Sequence, residues 1–394
     1  MLVGVLTKHG FVKSYWDQCA MHLFNDQFEV IIIVCVDDVL AGSTSEEGLL
    51  YLLDICRSEF EGGITVQEGD TITHLGMVLD FSDKQVSIAQ IKFVDDLLQQ
   101  CNEWKGQLRW ASTPMSATYH EHEFTSQQEE LGKEKRELYH SLTMSLMYLA
   151  HKTWPQLDYA VGVLSSHVKK PRRYHWNALM RVMAYVHLRK DSHRLIIRPG
   201  SLNVLCSADA SHMSHADMHG HTGVAIGVVG DADVSDSYFV FVSQKQALIG
   251  KSAMECEVIA QDTAAEYAVW SEGIRNDLLP PSVLKAMSVK AAVLQGKVSD
   301  LSKDVYDSHN TIVMQCDNEA AIKVLEQGRG TFKRCKHVLK RFFWVTELID
   351  AGRVVMKWLR GTDMPADLLT KPVTADVHDH LLYKLVGADH PDFK

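Results

Sequence analysis

Asp37 and Asp38 stand side by side in Val30-Ile31-Ile32-Ile33-Val34-Cys35-Val36-Asp37-Asp38-Val39-Leu40-Ala41-Gly42, a run otherwise apolar and rich in β-branched residues. Two like charges at the junction of two half-buried strands are destabilising unless a cation lies beside them, because burial and repulsion both disfavour the ionised pair. The pair therefore reads as a divalent-metal site, against the plainer alternative of a hairpin turn with two solvated Asp. Four further acids are set apart by position. Asp209 ends Val204-Leu205-Cys206-Ser207-Ala208-Asp209, Glu257 lies in the first turn of a helix beginning near Ala253, Asp317 ends Thr311-Ile312-Val313-Met314-Gln315-Cys316-Asp317, and Asp367 lies in Pro365-Ala366-Asp367-Leu368-Leu369-Thr370-Lys371-Pro372. Each falls at the end of an element, where side chains distant in sequence can converge on one cleft. In-line cleavage of a phosphodiester uses two divalent cations about 4 Å apart, and a Mg2+ (or Mn2+) site is built from a few carboxylates with water and substrate phosphate. Singly, each acid has a structural explanation as a turn residue, a helix-terminal charge or an N-cap. The ordered set carries the chemistry.

The elements that must hold these acids follow from periodicity. Short β-like runs dominate from Phe28 to Val94, broken by a helix over 46–60 with apolar residues at 49, 50, 53 and 56. Helical spacing takes over in 91–100, 133–152 and 175–186, with breaks at Thr113-Pro114, Trp154-Pro155 and Lys170-Pro171. A second strand-rich block opens at Asn203 with runs at 204–209, 223–229 and 238–243, then a helix over 253–279. Three strands followed by a helix predict a mixed sheet covered on one face. A polar stretch over 280–310, a strand over 311–317, helices over 319–327 and 333–351 and a strand over 354–359 complete the order. The fold class is α+β, divided as 1–114, 115–199 and 200–394, with the Arg198-Pro199-Gly200-Ser201 stretch read as a linker.

Composition bounds the function. At 394 residues, 46% hydrophobic and 23% charged, the chain can build two or three cored domains, so disorder is not expected. The longest apolar run, Val30 to Val36, is too short to span a bilayer, and Met1 to Lys13 lacks a signal-peptide core. An intracellular protein, cytoplasmic or nuclear and not secreted, is expected. The eight Cys show no C-x-x-C pair and no regular spacing, so neither a disulfide framework nor a zinc knuckle is indicated. A net charge of -10 argues against a generic nucleic-acid coat, though local basic patches can coexist with it.

The order strand Asp, helix Glu, strand Asp, late helical Asp resembles the constellation of the ribonuclease H family, and Asp37-Asp38 resembles the catalytic Tyr-x-Asp-Asp hairpin of reverse transcriptases with Cys35 in place of Tyr. Over nearly the whole chain the resemblance is to the carboxyl-terminal part of a copia-type retrotransposon Pol polyprotein. It is carried by Leu75-Gly76-Met77, Tyr139-His140-Ser141-Leu142, Ser145-Leu146-Met147-Tyr148-Leu149-Ala150, Asp158-Tyr159-Ala160-Val161, His175-Trp176-Asn177-Ala178-Leu179-Met180-Arg181-Val182, Ser252-Ala253-Met254-Glu255-Cys256-Glu257 and Cys316-Asp317-Asn318-Glu319-Ala320-Ala321-Ile322, together with the segment around Asp367.

The resemblance implies a truncated reverse transcriptase palm, a helical thumb or connection region and a ribonuclease H-like mixed sheet with flanking helices. It implies cleavage of the RNA strand of RNA/DNA hybrids with two Mg2+ ions. Asp209 would bridge both metals, Glu257 and Asp317 would complete the leaving-group site, and Asp367 the water-activating site. The palm's further Asp, which this family carries well upstream of the Asp-Asp hairpin, has no counterpart before Asp37, so polymerase activity is expected to be lost. Alternation along a strand predicts that Cys35 and Asp37 share a face while Asp38 points away.

An RNA/DNA hybrid is gripped through phosphates and 2'-hydroxyls, which calls for cations beside the acids. Arg172 and Arg173 lie in the basic loop Lys169-Lys170-Pro171-Arg172-Arg173, and Lys333, Lys336, His337 and Lys340 share one stripe of a helix. A solvated charged face is the plain explanation of both. Two other functions compete. His212, His215, His219 and His221, with Cys206, could make a zinc-binding module, and the chain could be an inactive retroelement remnant.

Overall fold

In the computed structural model, the residues described are all except Met1, 61–62, 83–84, 121–128, 199, 201–202, 216, 231–234, 284–310, 329–338 and 389–394. Two compact units emerge, one from the described residues of 1–75 and 269–308, the other from those of 76–268 and 309–394. Neither 114/115 nor 199/200 is a boundary between them.

The first unit is an antiparallel sheet with two helices. Helix α1 (Leu2–Lys8) precedes β1 (Val12–Lys13), β2 (Ala20–Phe24), β3 (Glu29–Cys35) and β4 (Asp38–Ser43), which lie in the order β1-β2-β3-β4. Strict alternation along β3 turns Val30, Ile32 and Val34 into a core with Leu6, Phe11, Met21, Leu52 and Ile55. Helix α2 (Glu46–Glu59) starts at Ser45, whose side chain accepts a hydrogen bond from the Gly48 amide, and Glu46 and Glu47 complement its first turn. Strand β5 (Thr71–His74) ends this part.

The second unit opens with β6 (Met77–Ser82) and β7 (Gln85–Ala89), which pair antiparallel. Among the described residues the longer helices that follow are α3 (Ile91–Gln99), α4 (Lys133–Lys152), α5 (Asp158–Ser165) and α6 (Arg173–Arg189). Their core is built on Tyr139, Leu142, Leu146, Leu149, Trp154, Trp176 and Tyr185, and β8 (Leu195–Ile197) returns to pair with β7.

The mixed sheet comes next: β9 (Val204–Ser211), β10 (His221–Val228), β11 (Ser237–Lys245), α7 (Ala253–Leu278), β12 (Ile312–Cys316), α8 (Glu319–Gln327), α9 (Leu339–Asp350), β13 (Val354–Trp358) and α10 (Ala375–Val386). The strand order is β11-β10-β9-β12-β13. The first three strands are antiparallel, while β12 runs parallel to both β9 and β13. Central strands must be apolar on both faces, and β9 is buried from Val204 to Ala210 and β12 throughout. Leu369, Leu381, Leu385 and Val386 cover one side of this sheet with Leu205, Ala225 and Val313. On the other side Cys256 and Ala260 of α7 meet Ala210, small side chains that let the helix approach closely. Among the described residues no helix is long and apolar enough to cross a membrane.

Candidate metal-binding carboxylate site

Two acids are brought level by strand register. Strands β9 and β12 pair in parallel with Val313 opposite Leu205 and Gln315 opposite Ser207, so continuing the register by two residues sets Asp317 beside Asp209. Asp209 is 2% exposed, while Asp317 directly precedes Asn318, whose side chain caps α8 by accepting from the amides of Ala320 and Ala321 at 3.0 and 3.1 Å. That cap fixes where β12 stops and so where Asp317 projects.

Glu257 reaches the same end of the sheet from α7. It lies in the second turn of that helix, not the first, because the helix begins at Ala253. It is 4% exposed, and its Oε2 is buried without a hydrogen-bond partner. Asp367 arrives on a 3-10 turn, Pro365–Leu369, and not on the α-helix expected; two residues separate Met364 from Asp367, and Pro at the first position favours the tight turn.

This turn rests on Gly223, which pairs with Asp209 across β9 and β10. A Cβ at Gly223 would stand 2.7 Å from the Ala366 carbonyl oxygen and 2.6 Å from Thr370 Cγ2. Only the absence of a side chain lets the turn sit against the sheet.

Burial and mutual repulsion define the electrostatics. Burial raises the Glu257 carboxyl well above its ordinary value, with the charges of Asp209 and Asp317 adding to it. Asp317 is raised by burial and then by Asp209, and Asp367 likewise by burial and then Asp209. Asp209 is thus the neighbour common to the other three. Lys371 is the cation here: its Nζ lies 2.9 Å from Asp367 Oδ1 and 3.7 Å from Asp209 Oδ2. Burial works to lower the Lys371 pKa, but Asp209 and Asp367 outweigh it and hold it above its ordinary value. Thr370 Oγ1 donates to Asp209 Oδ2 at 2.5 Å. One half-exposed ammonium against four carboxylates leaves excess negative charge, and with a partnerless Glu257 oxygen the donor set fits a hard divalent cation. Lys371, Thr370 and Cys316 were not singled out from sequence. Adjacency to Asp317 or Asp367 was the available signal.

The remaining sequence candidates are placed elsewhere. Asp37 and Asp38 are exposed, so the burial that argued for a cation between them is absent. Their hairpin pairs Cys35 with Asp38 across a two-residue turn, Val36-Asp37, and Val36 takes φ +57°. Cys35 therefore faces Asp38 and not Asp37, because the chain reverses before alternation reaches Asp37. Arg172 and Arg173 are exposed at the start of α6. Lys333, Lys336 and His337 lie outside the described residues, as does the side chain of Lys340. The histidines expected as zinc ligands are partnered otherwise: His212 with the Gly250 carbonyl, His215 with His221 at 2.9 Å, and His219 with Asp217. Among the described residues, the group of three or more potential ligands that converges is Glu257, Cys316 and Asp317, with no His and without Cys206.

A central β9 flanked by one antiparallel and one parallel neighbour, with acids at its end and on the crossing helix, makes this an α+β protein with a five-stranded mixed sheet. Over more than nine-tenths of its length the chain is similar to retrovirus-related Pol polyproteins from plant transposons. It is 24% identical over 384 residues to the Pol polyprotein from transposon TNT 1-94 of Nicotiana tabacum, covering 96% of this chain and 26% of that one. It is 25% identical over 367 residues to the Pol polyprotein from transposon RE2 of Arabidopsis thaliana, covering 93% and 22%. The chain thus spans about a quarter of the length of these curated relatives. Among solved structures it is similar to the foamy viral protease-reverse transcriptase in complex with an RNA/DNA hybrid, at 10% identity and a TM-score of 0.47 over 87% of this chain and 37% of that one. No family model matches.

Proposed function

We propose that this chain is the ribonuclease H-bearing part of a retrotransposon Pol protein and cleaves the RNA strand of RNA/DNA hybrids. The observation that carries the reading is the convergence of Glu257, Asp317 and Asp367 on Asp209 around a buried carboxylate oxygen that has no partner. Asp209, Glu257 and Asp317 would hold one divalent cation, and Asp209 with Asp367 a second. When bound, two such cations supply activation of the attacking water and stabilisation of the leaving oxygen. The chain's own part is to fix the acids on rigid strand ends, to keep Glu257 and Asp209 dry, and to hold Thr370 against Asp209. Arg172, Arg173, Lys333, Lys336, His337 and Lys340 are proposed as contacts to the hybrid backbone. The test is cleavage of a labelled hybrid by the full chain in Mg2+ beside Asp209→Asn and Asp317→Asn. Those variants should lose at least ~100-fold in rate while circular dichroism is unchanged. Full cleavage by either, or equal cutting of single-stranded RNA, would reject the assignment.

One observation favours a second reading, an inactive remnant. Lys371 ion-pairs with two of the four acids and acts as an internal counter-ion where a metal would be needed. Lys371→Gln separates the two readings. If Lys371 blocks the site, the variant gains Mg2+ affinity and cleavage together; if the site is already competent, cleavage stays or falls.

A further inference from the structure

Cys316 ends β12 and is completely buried, yet it lies among the acids. Its Sγ, one Glu257 carboxylate oxygen and one Asp317 carboxylate oxygen all fall within 4.8 Å of one another. Glu257, 4% exposed, also carries the partnerless Oε2 noted above. Among the described residues the thiol donates one weak hydrogen bond, to the Asn318 carbonyl at 3.8 Å, a contact that costs little to give up.

Donor chemistry decides which ion such a trio prefers. Carboxylates alone make a hard oxygen site suited to Mg2+ or Mn2+, whereas one thiolate among them shifts preference towards zinc-like ions. Four-coordinate sites with bonds of roughly 2.0–2.3 Å place their donors about 3.3–3.8 Å apart. Closing from the separations seen here takes about 1 Å, within reach of rotation about the Glu257 side chain.

We propose that Cys316, Glu257 and Asp317 form a site for a thiophilic divalent cation of the zinc class. It shares two carboxylates with the proposed nuclease site and rests on the metal-binding half of that reading, but needs no catalysis. Binding forms one metal–sulfur and two metal–oxygen bonds and releases the thiol proton to solvent. Zinc-class ions and Mg2+ then exclude each other at Glu257 and Asp317, so the former act as inhibitors of anything the latter supports.

The test is titration of the full chain with Cd2+, read by the ultraviolet charge-transfer absorption of a cadmium thiolate, for wild type, Cys316→Ser and Glu257→Gln. Other cysteines contribute equally to all three and cancel in the difference. One thiolate equivalent should be missing from Cys316→Ser. Glu257→Gln keeps the thiol, guards against misfolding of the first variant, and should bind Cd2+ at least ~tenfold more weakly. Excess Mg2+ should displace the signal in wild type. Identical spectra and affinities in all three proteins would overturn the site. Hybrid cleavage in Mg2+ alone distinguishes the two proposals: cleavage without the cadmium signal sinks this one, and the signal without cleavage sinks the other.

Discussion

The Thr370 hydroxyl donates a hydrogen bond to Asp209 Oδ2 at 2.5 Å, joining residues 161 positions apart. The same hydroxyl lies 3.2 Å from the Asp367 carbonyl, so one side chain ties the late turn both to itself and to the central strand. Thr370 is fully buried, which makes it a positioning residue and not a group that touches substrate. Replacing it by Val keeps the shape and removes the donor. Metal supports of this kind are worth about 10–100-fold in affinity or activity. Thr370→Val is expected to lower kcat and raise the Mg2+ concentration for half-maximal cleavage while leaving KM for hybrid unchanged; a change confined to KM would assign Thr370 to substrate binding instead.

Gly223→Ala tests the seat of the turn. The added methyl meets the Ala366 carbonyl oxygen at 2.7 Å, so the 365–370 segment must move while the sheet remains. Overpacking costs typically ~1–3 kcal/mol. Cleavage should fall much more than thermal stability, as followed by rate and melting temperature. An active, equally stable Gly223→Ala protein would show that the turn is free to sit elsewhere.

Metal and protons should compete. Glu257, Asp317 and Asp367 have folded-state pKa values raised by burial and by neighbouring charge, so the stability they contribute is fully present below about pH 4 and is lost as pH rises through their folded values. The buried imidazole of His193 is lowered to about 4, by burial first, and acts oppositely, losing stability as pH falls from about 6.5. Above pH 6.5 the lowered imidazoles are neutral in both states, and the raised carboxyls, Asp158 together with the three site acids, carry the trend. In EDTA the melting temperature should fall as pH rises from there, and the increment given by Mg2+ should grow. A Mg2+ increment that does not vary with pH would take these carboxylates out of the site.

The chain is expected not to extend primers. Asp37 and Asp38 are exposed at a hairpin tip, and among the described residues neither belongs to a converging group of three potential ligands. Two solvated acids hold Mg2+ weakly. Primer extension on a homopolymer template with Mg2+ or Mn2+ checks this, and template-dependent product that disappears in Asp37→Asn would overturn it.

A fragment from Gly200 to Lys394 is expected to fold, with stability below that of the full chain. The cut removes Tyr185, whose hydroxyl lies 3.1 Å from His378 Nε2, the Arg189 ion pair with Asp379 at 2.5 Å, and Leu195 from the core under α10. Losing one buried aromatic and one Leu costs several kcal/mol by analogy with large-to-small core changes, typically ~2–5 kcal/mol each. Denaturant unfolding of the fragment and the full chain measures the difference. Equal midpoints would make 199/200 a true domain boundary.

What the sequence revealed depended on how local the cause was. Helix α4 over 133–152 and α8 over 319–327 have the bounds expected from spacing alone, because a long amphipathic stripe or an Asn cap needs no distant partner. The central place of β9 was not legible: spacing predicts a sheet covered on one face, whereas β9 is buried on both faces from Val204 to Ala210. Cys35 opposite Asp38 was not legible either, since hairpin register depends on how many residues the turn takes and that is not written in the alternation. The place of Lys371 between Asp209 and Asp367, and of Cys316 beside Glu257, depends on side-chain direction after long-range docking. Sequence offers no periodic signal for that.

Gly223 also sets an order of events. Asp209 and Glu257 come early in this sheet, while the turn that carries Asp367, Thr370 and Lys371 comes about 110 residues after Glu257. In a growing chain Asp209, Glu257 and Asp317 are therefore all made before the segment that carries their ammonium and hydroxyl partners. Asp209 and Glu257 are buried and Asp317 half-buried, and the bare backbone at Gly223 is the open berth into which the last segment moors. The same segment brings Leu369 into the core beneath the sheet, so the turn that completes the site also completes the sheet's cover.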